Sequence, residues 1–286
     1  MSELLGNVQL EGALLRYVKW GEGPKILLCF HGFGFDKDTF FRMSSILSQD
    51  YTVYSFDLFY HGLSTLPPKK SVLKKKFWKD IIGKFLKENE IKKFSVLGFS
   101  MGGKFSLATV EAFPAMIENL ILLAPDGIKV SPWYTFATST FVTRALLKKN
   151  IRNPFIYLNL VKIARKLGLA KKSVARFANN QMQTRSQREL VYHTWTAFRK
   201  IKFILDELTD TINRQNIVVI IFLGNHDMIM KEEDVKPFIQ KISKVKVEVL
   251  NAGHSNLIEA AEEFLRANPK YFTENNFKNL PLLSSL

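Results

Sequence analysis

The sequence has one cysteine and no hydrophobic run long enough to cross a bilayer. The single cysteine, Cys29, excludes an internal disulfide, and a chain of 286 residues can build a sufficient core without one. Because Cys29 lies in an apolar run, we expect a buried, inert thiol. The longest uninterrupted apolar run, residues 217–223, is far shorter than the ~20 residues of a transmembrane helix. The first residues lack a basic region followed by an apolar stretch, so we expect a cytoplasmic protein without a signal peptide.

Acidic residues are almost absent from one internal segment. Between Lys129 and Lys202 the chain has 16 lysines and arginines and a single acid, Glu189, whereas the remainder holds 25 bases and 25 acids. The whole net charge of +15 therefore lies in this segment, which favours contact with something anionic. Three interpretations stay open: peripheral contact with anionic lipid at a membrane surface, an arginine that binds a substrate carboxylate or phosphate, and a solvated surface without function. No recognisable nucleic-acid-binding motif accompanies the charge, so no nucleic-acid partner is expected.

Outside that segment, short apolar strands alternate with helical patterns. The pattern predicts a hairpin over about residues 8–20 and strands over residues 25–30, 51–57, 93–99, 120–124, 217–223 and 245–250. Helices are predicted over residues 38–48, 72–89, 101–113, 232–242 and 255–267. This alternation indicates an α/β fold with a mostly parallel central sheet, covered by helices on both faces. Ligands bind such sheets at the carboxyl ends of the strands, which is where catalytic residues are expected.

Residues 128–210 interrupt this rhythm. They contain no convincing strand but several helix-like stretches, over residues 140–149, 154–167 and 186–205. The sequence therefore predicts a strongly basic helical cap at 128–210, inserted into a core that is formed by residues 1–127 and 211–286.

A serine stands between a predicted strand and a predicted helix. Ser100 lies in the sequence Gly98-Phe99-Ser100-Met101-Gly102-Gly103, where glycines allow a tight turn. A Gly-x-Ser-x-Gly pattern in that context predicts a nucleophile elbow, in which the hydroxyl is held at the carboxyl edge of the sheet. The structural alternative is a serine that only caps the helix.

A serine nucleophile needs a base and a carboxylate that orients the base. Asp227 follows the fifth predicted central strand and His254 follows the sixth, so both side chains are expected near Ser100. Asp126, after the fourth strand, is an alternative orienting acid. His31 and His61 are expected to have structural roles in turns.

A tetrahedral intermediate also needs backbone donors for its oxyanion. The amide of Met101, directly after the serine, and the amide of Phe33, in the sequence His31-Gly32-Phe33-Gly34, are the candidates. Lys104 is a candidate contact for a substrate anion. The sequence shows no convincing metal-ligand spacing, so neither a metal nor a cofactor is expected.

These residues together resemble the α/β-hydrolase superfamily, in particular its capped esterases, lipases and C–C hydrolases. The resemblance covers roughly residues 7–127 and 211–268. The matching segments are His31–Gly34, Asp57–Ser64, the turn at Ser100, Gly224–Asp227 and Gly253–His254. The resemblance implies that Ser100 is the nucleophile, His254 the general base and acid, and Asp227 the residue that orients it. One departure is Phe59-Tyr60, where relatives usually have Pro-Gly.

The function expected from these features is hydrolysis of a carboxylic ester through an acyl-enzyme on Ser100, as in carboxylesterases and lipases. One alternative is C–C bond hydrolysis, or a lyase reaction like that of SHCHC synthases, on an anionic substrate that Lys104 contacts. Another is a catalytically slow ligand sensor. The small-molecule substrate and the oligomeric state are not predicted.

Overall fold

The structure is a computed structural model that describes residues 3–130, 132–153, 155, 159, 182–269 and 271–272. Its strands form one eight-stranded sheet in the spatial order β1-β2-β4-β3-β5-β6-β7-β8. The strands are β1 (Leu4–Leu10), β2 (Ala13–Trp20), β3 (Lys25–Phe30), β4 (Tyr51–Phe56), β5 (Phe94–Phe99), β6 (Ile117–Leu123), β7 (Val218–Gly224) and β8 (Val245–Leu250). The β1–β2 and β2–β4 pairs are antiparallel and the other pairs are parallel. The predicted α/β class is therefore confirmed.

The central strands owe their place to their composition. Every residue of β4 and β5 is buried, because these strands are rich in β-branched and aromatic residues and are covered on both faces. Strand β8 lies at the edge of the sheet, and most of its residues are only half-buried. Cys29, in β3, is fully buried, and this burial raises the pKa of its thiol, as expected of an inert cysteine.

Helices alternate with these strands along the chain. Within the described residues, the α-helices are α1 (Ser44–Leu47), α2 (Lys75–Glu88), α3 (Met101–Ala112), α4 (Pro132–Ser139), α5 (Phe141–Arg152), α6 (Arg185–Phe198), α7 (Leu205–Arg214), α8 (Glu232–Ile239) and α9 (Leu257–Ala267). Helix α3 packs on β5 at the centre of the sheet and also contacts α2 and α7, whereas α9 packs with α1, β7 and β8. No helix of the described ranges is both long enough and apolar enough to cross a membrane.

Two helix predictions need correction. The helix predicted over residues 38–48 is a 3-10 helix over Lys37–Met43 that continues as the short α1. The helix predicted over residues 186–205 ends at Phe198, and α7 begins only at Leu205. The chain between them is not helical, and Ile201 there is buried in the core. The helix predicted over residues 154–167 lies outside the described residues, except for positions 155 and 159.

The chain divides into two compact units. The first comprises residues 1–67, 74–129 and 201–286, and the second comprises 68–73 and 130–200. The insert predicted over residues 128–210 begins two residues before and ends ten residues after the main part of the second unit, 130–200. At its start, Lys129 forms an ion pair with Asp234 of the first unit, and at its end α7 packs against α3.

The second unit is helical in its described part. Helix α5 packs against α4 and α6. Arg188 of α6 is buried, and its guanidinium donates to the carbonyls of Ile151 (3.1 Å), Met182 (3.0 Å) and Gln183 (2.8 Å). These bonds fasten the end of α5 to the start of α6, which gives this arginine a structural role.

Candidate active site

Ser100 occupies a strained turn between β5 and α3. Its φ of 50° and ψ of −116° lie in a region that residues with a side chain rarely adopt. Its N–H donates to the carbonyl of Leu123 (2.8 Å), and its carbonyl accepts from the amides of Gly103 (2.9 Å) and Asp126 (2.8 Å). The Ser100 side chain makes no capping hydrogen bond to α3. The surrounding backbone therefore holds the strained turn, and the hydroxyl is directed away from the helix.

The turn has no room for side chains at two of its glycines. A Cβ atom at Gly102 would lie 1.8 Å from the carbonyl oxygen of Phe30, and one at Gly98 would lie 2.4 Å from the Ser106 hydroxyl oxygen. Helix α3 can therefore cross β3 and β5 this closely only because these positions are glycine.

Replacing Gly102 by alanine is expected to lower the free energy of unfolding by at least about 3 kcal/mol, the upper end of the usual cost of overpacking. The clashing atom belongs to the backbone of a central strand, so no side-chain rotation relieves it. Gly83→Ala is the control, because its Cβ meets only the Phe113 ring at 3.4 Å, within a helix where alanine is favoured by about 1 kcal/mol. Urea unfolding measures both, and equal stability of the two variants would contradict the packing shown at Gly102.

His254 joins Ser100 to Asp227. The His254 Nε2 atom lies 2.9 Å from the Ser100 hydroxyl oxygen, and its Nδ1 lies 2.7 Å from Asp227 Oδ2. The two residues come from the loops after β8 and β7, and the ring of Phe99 packs against the imidazole at a centroid distance of 5.3 Å. The structure thus brings together the serine, histidine and aspartate that the sequence singled out.

Asp227 is buried, but both of its carboxylate oxygens have hydrogen-bond partners within the protein. Its Oδ1 accepts from the amides of Ile229 (2.7 Å) and Met230 (3.0 Å), while Oδ2 faces His254. Burial raises the pKa of this carboxyl, but the hydrogen bond and charge of His254 and the two amides outweigh it, so the pKa lies below its usual value. The carboxylate is therefore ionised at neutral pH and can orient the imidazole.

Asp126, the alternative acid, has a different partner. Its Oδ2 lies 2.7 Å from the ammonium of Lys104, whose side chain is buried. This ion pair links the candidate anion contact to the carboxylate that follows β6. The Lys104 charge is thus already balanced within the chain.

The loop after β3 runs against the serine. A Cβ at Gly32 would lie 2.8 Å from the Phe99 ring and 3.4 Å from Ser100 Cβ, so only glycine allows this approach. Phe33 follows in the same loop, and Met101 is the first residue of α3. The first amides of a helix lack intrahelical acceptors and favour negative charge. Both candidate oxyanion donors therefore lie on segments that adjoin Ser100.

Two buried histidines connect this loop to the segment that follows β4. The Nδ1–H of His31 donates to the carbonyl of Gly32 (2.7 Å), and its Nε2 accepts from the amide of Leu58 (2.9 Å). The Nε2 of His61 accepts from the amide of Gly34 (3.1 Å). Each imidazole accepts an N–H, so each is held in its neutral form.

Asp57 completes the same connection. Its two carboxylate oxygens accept from the amides of Lys37 (2.8 Å) and Leu63 (3.1 Å), and a Cβ at Gly62 would lie 2.1 Å from the carboxylate. The sequence alone does not indicate this role for Asp57, although Asp57 lies in a segment that matches the α/β-hydrolases. Tyr60, at the position where relatives usually have glycine, has a φ of 69°. The loop thus keeps a glycine-like backbone with a tyrosine in it.

Stability is expected to fall between pH 6.5 and 5 because of the two histidines. Burial lowers the pKa of His31 to about 3, with His61 adding to the effect, and burial lowers that of His61 to about 4. Between the ordinary value of 6.5 and these values, only the unfolded chain takes up protons, so acid favours unfolding. The two groups together should remove about 3 kcal/mol over this interval.

Urea unfolding at pH 6.5 and pH 5 measures this loss, and His61→Gln is the informative variant. It removes one of the two titrating groups, so the drop between the two pH values should be about half that of the wild type. All other titrating groups are common to both proteins. An unchanged drop would show that His61 does not carry its share.

Comparisons with known proteins identify the family. A family model described as alpha/beta hydrolase fold matches residues 25–261. The chain is 29% identical over 154 residues to the dihydrolipoyllysine-residue acetyltransferase component of an acetoin cleaving system from Cupriavidus necator, covering 53% of this chain and 41% of that protein. It is 30% identical over 119 residues to a serine hydrolase-like protein from Danio rerio, covering 38% of this chain and 36% of that protein.

A solved structure extends the likeness to most of the chain. The thermophilic esterase from Thermogutta terrifontis superposes with a TM-score of 0.66 at 19% identity, covering 94% of this chain and 97% of that one. At that identity the superposition shows the fold, and the matched part spans about two fifths of each of the two curated relatives. With the family model matched over residues 25–261, the chain belongs to the alpha/beta hydrolase fold family.

Proposed function

We propose that this protein is a serine hydrolase that cleaves a carboxylic ester through an acyl-enzyme on Ser100. The observation that carries the proposal is the chain of hydrogen bonds from the Ser100 hydroxyl through His254 to Asp227, at 2.9 and 2.7 Å. A serine hydroxyl becomes a nucleophile only when a positioned base removes its proton. In this proposal the three residues are a catalytic triad.

The first half of the reaction forms the acyl-enzyme. Asp227 accepts the Nδ1–H of His254, which leaves the Nε2 lone pair directed at Ser100. As the Ser100 oxygen bonds to the ester carbonyl carbon, its proton moves to Nε2. When the tetrahedral intermediate collapses, the bond to the alcohol oxygen breaks and the alcohol leaves with that proton.

Water completes the cycle. It gives a proton to Nε2 of His254 as its oxygen attacks the acyl carbon, and Ser100 then leaves and recovers that proton. In both halves the amides of Phe33 and Met101 would stabilise the oxyanion. Removal of a single such donor from a hydrolase costs about 10²–10³ in kcat, so the fixed loop at Gly32–Gly34 matters to the rate.

The proposal is tested by hydrolysis of p-nitrophenyl esters from acetate to decanoate. Wild-type protein is expected to release p-nitrophenol with saturable kinetics, and the preferred acyl length gauges the acyl-binding site. Ser100→Ala, run beside it, reports the background. Folded wild-type protein that is no faster than this variant at every length would overturn the proposal.

Cleavage of a C–C bond in an anionic substrate, or an SHCHC-synthase-like lyase reaction, would use the same triad with Lys104 as the anion contact. The ion pair with Asp126 favours ester hydrolysis over this alternative, because a carboxylate already balances the Lys104 charge.

Lys104→Met is therefore expected to keep kcat/KM for the best neutral ester within about threefold of the wild type. A loss of tenfold or more would give Lys104 a part in the reaction. Saturable binding of the ester without turnover would instead indicate a sensor.

A further inference from the structure

One helix of the second unit turns apolar side chains toward solvent. In α5, Phe141 is 79% exposed, Val142 65% and Leu146 47%, whereas Asn150 and Ile151 on the opposite side are buried. At 100° per residue, Phe141, Val142 and Leu146 share one face of the helix. A surface helix normally buries its apolar residues, so this reversal needs a reason.

The same face becomes cationic toward the end of the helix. Lys148, Lys149 and Arg152 are all exposed and lie on the side that carries Phe141. Phe136 of α4, 63% exposed, and Phe155, 69% exposed, lie just before and just after α5 in the chain. We call Phe141, Val142, Leu146, Lys148, Lys149 and Arg152 the α5 face.

Hydrogen bonds fix the turn between α4 and α5, from which the α5 face begins. Thr140 caps α5 by accepting from the amide of Thr143 (3.1 Å), and the Thr143 hydroxyl contacts the amide of Thr140 in return. The guanidinium of Arg144 donates to the carbonyls of Thr138 (2.9 Å) and Ser139 (3.1 Å), at the end of α4. The exposed aromatic and aliphatic side chains thus stand on ordered backbone.

We propose that the α5 face docks on an anionic lipid bilayer. Large apolar side chains that enter the boundary of the acyl chains, with lysine and arginine stems reaching lipid phosphates beside them, are the features of an interfacial helix. The charge of the segment fits this partner, because between residues 129 and 202 the chain holds 16 bases and one acid. Docking is independent of the reaction proposed above.

A second copy of the chain fits this face less well. In a twofold symmetric dimer the same patch meets itself, so Lys148, Lys149 and Arg152 of each copy would be buried against a patch that carries no acid to pair with them. Docking on an anionic bilayer does not leave these cations unpaired, because the lipid phosphates are negatively charged. The cations of the α5 face therefore favour an anionic bilayer over a second copy of the chain.

The test is sedimentation of the full chain with phosphatidylcholine vesicles that contain no or 30% phosphatidylglycerol. Binding is expected to the anionic vesicles and to weaken in 0.5 M NaCl. Phe141→Ser/Val142→Ser should lower the partition coefficient at least tenfold, and Lys148→Gln/Lys149→Gln should lower it about 25-fold, from ~5-fold per cation.

Two control variants separate binding through the α5 face from nonspecific binding through other exposed leucines and lysines. Leu4→Ser/Leu5→Ser removes two adjacent leucines that are each 64% exposed on β1, and Lys87→Gln/Lys92→Gln removes two exposed lysines of the first unit. Both should bind like the wild type. Equal loss in these controls, or equal binding to neutral vesicles, would overturn the proposal.

Two other occupants give different results. If a second copy covers the face, sedimentation velocity shows a dimer that Phe141→Ser/Val142→Ser dissociates, and vesicles bind neither protein. If another part of this chain covers it, the same variant lowers the melting temperature without vesicle binding by the wild type. Ser100→Ala should bind vesicles as the wild type does, so this result does not depend on catalysis.

Discussion

Replacing Ser100 by alanine is expected to lower kcat/KM for the best p-nitrophenyl ester by about 10⁴- to 10⁶-fold, the usual loss when a serine hydrolase is deprived of its nucleophile. The substitution removes the hydroxyl oxygen that lies 2.9 Å from His254 Nε2, and with it the proposed site of acylation. Alanine keeps the Cβ atom and the hydrogen bonds of the backbone turn, so the fold should remain. The residual rate would come from binding and oxyanion stabilisation alone.

Ser106→Ala is the matched control for this variant. Ser106 lies in the same helix, and its hydroxyl is buried with no hydrogen-bond partner among the described residues. Its removal should leave kcat/KM unchanged and the melting temperature unchanged or higher, because an unsatisfied buried hydroxyl is costly. Measured initial rates and melting curves of the three proteins decide the matter. If Ser100→Ala kept more than a tenth of the wild-type rate, Ser100 would not be the nucleophile.

The positions of the candidate site could be predicted because the sheet fixes them. Ser100, Asp227 and His254 each follow an apolar strand, and parallel strands bring their carboxyl ends to one edge. What the sequence could not show is which carboxylate the imidazole would meet, since Asp126 also follows a strand. That choice depends on contacts between loops that no local pattern encodes. In the structure Asp227 meets His254, and Asp126 meets Lys104.

Two helices were predicted with the wrong type or the wrong end because local apolar spacing does not determine either property. Over residues 37–43 the chain forms a 3-10 helix, and in so short a stretch the apolar spacing does not separate this from an α-helix. Apolar residues continue beyond Phe198, so the sequence predicts one helix over residues 186–205. In the structure the helix ends at Phe198, and Ile201 is buried in the non-helical segment that follows. The roles of His31 and His61 in holding the Gly32–Gly34 loop also follow from tertiary contacts. A histidine in a turn looks the same in sequence whether it binds one loop or two.

Asp227→Asn is expected to lower kcat by about 10⁴-fold while leaving the fold intact. The asparagine oxygen can still accept from the amides of Ile229 and Met230, so the loop after β7 should keep its shape. Its NH₂ group, however, would face His254 Nδ1 and donate to it. The imidazole would then carry its proton on Nε2, where it cannot take one from Ser100.

Asp126→Asn separates the two carboxylates. Because Asp126 pairs with Lys104 and contributes only its backbone amide to the Ser100 turn, this variant should keep kcat within about fivefold of the wild type. Both variants are measured on the same ester, with melting temperatures to show that each is folded. A large loss in Asp126→Asn with little loss in Asp227→Asn would make Asp126 the orienting acid and would require His254 to turn toward β6 during catalysis. Equal large losses would instead mean that the Lys104–Asp126 pair supports the turn that carries the nucleophile.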